Sequence, residues 1–250
     1  MAMRQATDDK VLMKRLDRFL TSSSLGGPDI GRVIEPLGRI GQVLIFGGAL
    51  RDIALEGNSR FPNDIDIVVR TDDIDALFDL MLQRSAIRNR FGGYRFAAAG
   101  WKFDVWAFQD TWAFRAGFVA GADANDLLKT TFFDWDAIAY DVVRRRLIFR
   151  ESYFERIAHR VVDINLIENP NPRGAAVRAL KIFMSGKAKL SARLARYVLE
   201  VIRLPQPATT GFAESQSAWI DRATGELDAR LKATGKSPVG FESEQLRLTS

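Results

Sequence analysis

The chain carries two hydrophobic rhythms in its first part and one in its second. From Asp8 to Leu20 the apolar residues Val11, Leu12, Leu16, Phe19 and Leu20 recur at three- and four-residue intervals, which predicts a short amphipathic helix. The cluster TSSSLGGPD ends it, because its glycines and hydroxyl residues favour turn over helix. A second helical stretch spans roughly 30–40. VLIF at 43–46 is a short apolar run of the length of a buried strand, stopped by Gly47-Gly48, and ALRDIALEG reads as a helix ending at Gly57. DIDIVV (64–69) is a predicted strand and 72–85 a predicted helix. YRFAAAG and WKFDVWAF form a predicted hairpin turning near Gly100, and AIAYDVV with RRLIF a second strand pair turning at 144–146. Beyond about residue 155 the two-residue alternation stops. RGAAVRALKIF, LSARLARYVLEVI and FAESQSAWIDRATGELDARLKA are all helical in period, and the Pro-rich ENPNP (168–172) reads as a hinge between the two parts. Mixed helices and strands followed by helices alone predict an α+β fold with a helical companion. Residues from about Lys236 carry little pattern and are expected to be loose.

Composition narrows the chemistry. At 250 residues, with 47% hydrophobic and 27% charged residues, the chain is long enough for a sizeable core and is not built like a disordered one. No apolar run approaches the ~18 residues of a membrane span, and MAMRQATDDK has no apolar core of a signal peptide, so no membrane partner is expected. Cysteine is absent, which removes disulfides, thiolate metal sites and cysteine nucleophiles and fits a reducing cytoplasm. The one histidine, His159, rules out histidine-pair metal sites and reads as a surface or capping residue near a helix start. Carboxylates, hydroxyls, Lys, Arg and backbone groups are left to do any chemistry. The net charge of +5 is unevenly spread: 172–203 holds eight basic residues and one acid, a formal +7, and the remainder is −2. Such a segment is either a solvated helix face or a contact for a polyanion such as a triphosphate or RNA. Its basic residues are Arg173, Arg178, Lys181, Lys187, Lys189, Arg193, Arg196 and Arg203.

The carboxylates are the strongest candidates. Asp64 and Asp66 lie two apart in a strand and so project from one face, while Ile65, Ile67 and Val69 take the other. Paired acids repel, and a divalent cation is the usual relief. Asp104 sits among apolar residues of a second strand, where an isolated charge costs several kcal/mol unless paired or metal-bound. If the two strands are neighbours, three carboxylates converge, an arrangement suited to two Mg²⁺ ions about 4 Å apart. A lone DxD is a weak signal, but here it follows Gly47-Gly48, placed between a strand and a helix, where backbone N–H groups and the helix start favour phosphate. Arg51 stands within reach of such a phosphate, and Asp52 of the turn or a base. The plain alternative is a strand-to-helix turn with a surface Arg–Asp pair. SGKAK (185–189) lacks the full phosphate-loop pattern. Trp101, Trp106, Trp112 and Trp135 read as core or groove aromatics. Asp134 and Asp136 form a further same-face pair that does not read as a metal site.

VLIFGGALRDIALEG followed by NDIDIVV resembles the head-domain signature of the polymerase-β superfamily nucleotidyltransferases of the bacterial poly(A) polymerase and CCA-adding tRNA nucleotidyltransferase type. TTFFDWDAIAYD (130–141) resembles that family's next motif, which usually reads close to RRDFTINAIAYD, and AAVRALKIF (175–183) is similar to the arginine-bearing helix that opens its neck. The resemblance covers about residues 40–185. It implies a polymerase-β-like head of mixed sheet and flanking helices, with a helical neck-like domain after it. It implies that Gly47 and Gly48 touch an incoming triphosphate, that Asp64 and Asp66 hold two Mg²⁺ ions (or Mn²⁺), that Asp104 is the third carboxylate, and that Arg178 lies near the nucleotide. Three departures accompany it. Thr130-Thr131-Phe132 replaces RRD and Asp136 replaces Asn, in the stretch that in the family helps hold ribose and phosphate. The EDxxR element that reads the base has no clean counterpart in ENPNPRGAA, so selection of CTP and then ATP is not expected. The stretch after the neck is short for a tRNA-holding body and tail.

The resulting expectation has an N-terminal helical arm at 1–24, a nucleotidyltransferase head at 25–155 and a helical domain at 156–250. The expected enzyme transfers an NMP from an NTP to a hydroxyl, releasing pyrophosphate. An RNA 3′ end, such as that of tRNA, is the favoured acceptor, contacted by Arg173, Lys181, Lys187, Lys189, Arg193 and Arg196. A small-molecule or protein acceptor, or a catalytically eroded nucleotide- or partner-binding module, are the alternatives.

Overall fold

The computed structural model describes residues 5–23, 26–57, 64–205 and 214–240. Part of the TSSSLGGPD cluster (24–25), the residues leading into DIDIVV (58–63), the first two of the last helical run (212–213) and the tail beyond 240 lie outside them. The chain forms two compact units, 1–158 and 159–250.

The first unit is built on a seven-stranded mixed sheet. Its elements in order are α1 (Asp9–Thr21), α2 (Gly27–Ile40), β1 (Gln42–Phe46), α3 (Gly48–Glu56), β2 (Asp64–Arg70), α4 (Ile74–Gln83), β3 (Ile87–Arg88), β4 (Tyr94–Ala98), β5 (Trp101–Ala107), the short α5 (Trp112–Arg115) and α6 (Ala124–Leu127), β6 (Ile138–Asp141), β7 (Arg146–Phe149) and α7 (Tyr153–His159). The strand order is β3-β4-β5-β2-β1-β6-β7. β2 and β5 run parallel, joined by the crossover through α4, and the other neighbours are antiparallel. VLIF is apolar throughout because β1 is central and covered on both faces. On one face Val43, Ile45, Ile65, Ile67, Phe103 and Val105 are buried, and α2 and α3 contact β1 while α3 also contacts β2 and β6. On the other face Leu44, Phe46, Val68, Ala139 and Ile148 form a cluster with Phe108, Ala124, Leu127 and Leu128, drawn from the irregular stretch that follows β5. α1 belongs to this unit: Leu12, Leu16 and Phe19 are buried and the helix contacts α2 and α3. Asp8 caps it by accepting from the Val11 N–H at 2.9 Å. His159 closes α7 instead of opening a helix.

The second unit holds α8 (Pro172–Met184), α9 (Ala192–Arg203) and α10 (Glu214–Thr234), with a two-residue parallel pair, β8 (Val161–Val162) and β9 (Lys189–Leu190). This pair departs from the expectation that strands end near residue 155. Two residues per strand leave no periodicity to read, and their partners lie far apart in the chain. ENPNP falls within this unit and serves a local purpose: Pro172 takes the first helical position of α8, and Asn171 caps it by accepting from the Gly174 N–H at 3.0 Å. Ala176, Leu180, Phe183, Leu194, Val198, Ala223 and Leu227 make the core between the three helices. Among the described residues no helix is long and apolar enough to cross a membrane.

Candidate active site

Strand register assembles the site. Ala139 on β6, Phe46 on β1, Asp66 on β2, Asp104 on β5 and Arg95 on β4 are cross-strand partners in turn. Partners on neighbouring strands face the same way, so Asp66 and Asp104 stand side by side across a strand spacing of about 5 Å. Asp64, two residues before Asp66, shares that face and is the partner of Lys102. Asp64 is exposed and Asp66 and Asp104 are half-buried. The three acids singled out in the sequence therefore occupy one side of two adjacent strands.

The diglycine bend lies next to them. β1 runs antiparallel to β2 with Phe46 opposite Asp66, so the residues after Phe46 emerge beside the start of β2, where Asp64 stands. Gly47 has φ 72° and ψ −121°, a conformation that side-chain-bearing residues rarely adopt. Its N–H donates to the Ile138 carbonyl at 2.9 Å, and its own carbonyl accepts from the Arg51 N–H at 3.1 Å, which starts α3. A β-carbon at Gly48 would lie 3.5 Å from an Arg51 guanidinium nitrogen.

Arg51 is held by carboxylates. Its Nη1 donates to Asp136 Oδ1 at 2.5 Å and its Nε to Asp52 Oδ1 at 2.9 Å, with 21% of the Arg51 side chain and 11% of the Asp136 side chain exposed. Burial alone would lower the guanidinium pKa, but Asp136 and Asp52 outweigh it and hold it above its ordinary value. Tyr153 is buried, its hydroxyl donating to the Trp135 carbonyl at 3.1 Å, and burial pushes its phenol well above the usual range. Asp136 ties the first turn of α3 to the segment before β6. Asp134 is likewise paired, with Arg156 at 2.6 Å. Thr130 and Thr131 turn their hydroxyls to nearby backbone, donating to the Leu127 and Phe133 carbonyls at 2.7 and 2.8 Å. The Thr130-Thr131 stretch thus completes local turns.

Arg95 is the residue that the sequence reading missed. Its Nε lies 3.0 Å from Asp104 Oδ1 and its Nη2 2.6 Å from Asp104 Oδ2, a two-pronged pair. The hydrogen bonds and charge of Asp104, with further help from Asp64 and Asp66, raise the Arg95 pKa. A signal for it existed. Ala99 and Gly100 both have positive φ and form the two-residue turn expected of a tight hairpin, and counting outward from them pairs Arg95 with Asp104. Among the described residues no group of three His, Cys, Asp or Glu side chains is gathered for a metal ion. The acids fit a hard divalent cation in kind and in the face they share, while Arg95 engages both oxygens of Asp104.

Of the tryptophans, Trp135 is buried, and Trp106 is half-buried with its indole N–H donating to Thr111 Oγ1 at 3.1 Å. Trp101 packs edge-on against Phe19. In the second unit, Arg178 and Lys181 are exposed on one face of α8. Arg193, Arg196, Glu200 and Arg203 share a face of α9, where Arg193 pairs with Asp163 and Arg203 with Asp228, both at 3.2 Å. Lys187 is exposed and Lys189 half-buried in β9. Arg173 is half-buried and donates to the Ile202 carbonyl at 3.2 Å, bracing α8 against α9.

No family model and no curated protein matches the chain. Solved structures do. A CCA-adding enzyme in complex with CTP superposes with a TM-score of 0.60 at 15% identity, covering 90% of this chain and 56% of that one. A tRNA nucleotidyltransferase complexed with a primer tRNA and an incoming ATP analog gives 0.52 at 17% identity, covering 87% and 65%. The CCA-adding enzyme of Thermotoga maritima complexed with tRNA gives 0.51 at 14% identity, covering 90% and 55%. The chain has the fold of the CCA-adding nucleotidyltransferases. It spans a little over half to just under two thirds of the length of these three structures. The fold is the α+β head expected from the resemblance, with helices after it.

Proposed function

We propose that the chain is a metal-dependent nucleotidyltransferase that moves an NMP from an NTP to a hydroxyl of an RNA 3′ end and releases pyrophosphate. One observation carries this reading: Asp64, Asp66 and Asp104 share a face of two adjacent strands beside the Gly47–Gly48 bend, on the fold of CCA-adding enzymes. Asp64, Asp66 and Asp104 would hold the ions. Divalent cations bound there would acidify the attacking hydroxyl and neutralise the leaving pyrophosphate. Backbone N–H groups from Gly48 onward, at the start of α3, receive the triphosphate, since a helix start favours negative charge. Arg51, braced by Asp52 and Asp136, fixes the bend's shape and adds positive potential near it. The exposed basic faces of α8 and α9 offer charge to an RNA backbone, and two of the structures sharing the fold are complexes with tRNA.

The test is Asp64→Asn with Asp66→Asn, assayed with each labelled NTP and total RNA. Neither side chain is fully buried, so the fold is retained by circular dichroism while transfer falls by at least about 10²-fold, the scale of losing transition-state charge stabilisation. Unchanged turnover refutes the assignment. A second reading, a nucleotide-binding module without transfer, is favoured by the hold of Arg95 on Asp104. It predicts NTP binding with no pyrophosphate release under Mg²⁺ or Mn²⁺.

A further inference from the structure

Three acids on one face should be poorly stable together without a counter-charge, and the sheet supplies one from within the chain. Arg95 is the register partner of Asp104 on β4, so the hairpin fixes its backbone opposite the acid. The Arg95 side chain is 66% exposed and Asp104 18% exposed, so the guanidinium can leave to solvent while the carboxylate stays in place. Its fork takes both Asp104 oxygens, the same lone pairs a cation would need. The charges of Asp64 and Asp66 are also felt by Arg95, which places the guanidinium in the field of all three acids.

We infer that Arg95 is a resident counter-cation that competes with a divalent metal ion for Asp104 and so sets the metal affinity of the site. This rests on the metal-dependent reading above and goes beyond it. A metal ion entering beside Asp64 and Asp66 gains its third carboxylate only as the guanidinium lets go, and the free protein is spared like-charge repulsion by the same residue. The bound state therefore carries the cost of parting a bidentate pair.

The test is Mn²⁺ titration of the full chain, followed by the electron paramagnetic resonance signal of free Mn²⁺, with thermal unfolding in EDTA and in Mn²⁺ alongside. Arg95→Gln should bind Mn²⁺ on the order of tenfold tighter than wild type, the scale of one partly exposed, two-pronged ion pair. It should unfold at lower temperature in EDTA and gain more from Mn²⁺. Arg95→Lys keeps the charge and loses the fork, and should fall between the two; it carries the test if Arg95→Gln does not fold. In an Asp104→Asn background the tightening should disappear. Equal Mn²⁺ affinity in wild type and both Arg95 variants overturns the inference and leaves the metal reading standing. Tightening that persists with Asp104→Asn also overturns it, since Arg95 would then act only as diffuse charge. Absence of Mn²⁺ binding in every variant overturns both.

Discussion

Alanine at Gly47 and alanine at Gly48 should act in opposite ways, although the two glycines are adjacent. At Gly47 a β-carbon would find room, its nearest neighbours being the Asp136 carbonyl oxygen at 3.7 Å and the Asp136 β-carbon at 4.0 Å. The cost is in the backbone. With φ 72° and ψ −121°, Gly47 has the angles of the glycine-favouring position of a type II′ turn, and a side chain held there costs roughly 1–3 kcal/mol. Alanine recovers about 0.4–1 kcal/mol by restricting the unfolded chain, leaving a net loss of about 1–2 kcal/mol. For a unit of 158 residues that corresponds to a fall in Tm of about 2–8 °C. Gly48 begins α3, has no positive φ, and a β-carbon there meets the Arg51 guanidinium at 3.5 Å, an ordinary van der Waals distance that asks no shift of it. Alanine there should leave stability unchanged or raise it by up to about 1 kcal/mol through helix propensity. It should still weaken NTP binding, because a methyl group then stands where phosphate oxygens would approach the backbone. Urea unfolding and calorimetric titration with a non-hydrolysable NTP read the two effects separately. A Gly47→Ala protein as stable as wild type, or a Gly48→Ala protein that loses as much stability as Gly47→Ala, refutes the reasoning about this bend.

Asp136→Asn should cost about 1–2 kcal/mol in urea unfolding: removing one partner of a buried pair costs about 3–5 kcal/mol, and here Asp52 remains to Arg51, which is itself 21% exposed. Asp141 gives a pH prediction. Burial alone would raise its pKa, but hydrogen bonds from the Arg144 N–H, the Gln42 amide and the Arg144 guanidinium outweigh burial and hold it below the ordinary aspartate range. A lowered folded pKa means that this stability is present above the unfolded value near 4 and is lost as pH falls through the folded value. Thermal unfolding across acid pH should therefore show the gap between wild type and Asp141→Asn closing below about pH 4, and a gap that stays constant would contradict it. On the RNA side, Arg178→Gln with Lys181→Gln should flatten the dependence of log affinity on log salt by about 1.4, at about 0.7 for each single-strand phosphate that is no longer neutralised. An unchanged slope would place the RNA elsewhere.

Much of the architecture could be read locally. The helices at 9–21, 48–56 and 192–203 and the strands at 42–46, 64–70 and 101–107 fall close to where the apolar periods put them, because each buries one face or one short run and its spacing records that. The stretch 108–137 could not be read in this way. Its helices α5 and α6 are four residues long, too short for a period, yet Phe108, Leu127 and Leu128 cover one face of the sheet. β3 and the β8–β9 pair escaped for the same reason, being two residues per strand.

By itself the sequence determined that Asp64 and Asp66 share a face, since strand geometry alternates every residue, and that Gly47-Gly48 end β1. Tertiary structure decided which charges meet. Asp104 joins the pair because β5 lies parallel to β2 in one register and no other. Arg51 is tied to an acid 85 positions away, and Arg95 turns from an unremarked strand residue into the partner of the third carboxylate. Periodicity is a property of neighbours along the chain, whereas electrostatic pairing depends on distance in space, and only folding brings distant charges within its range.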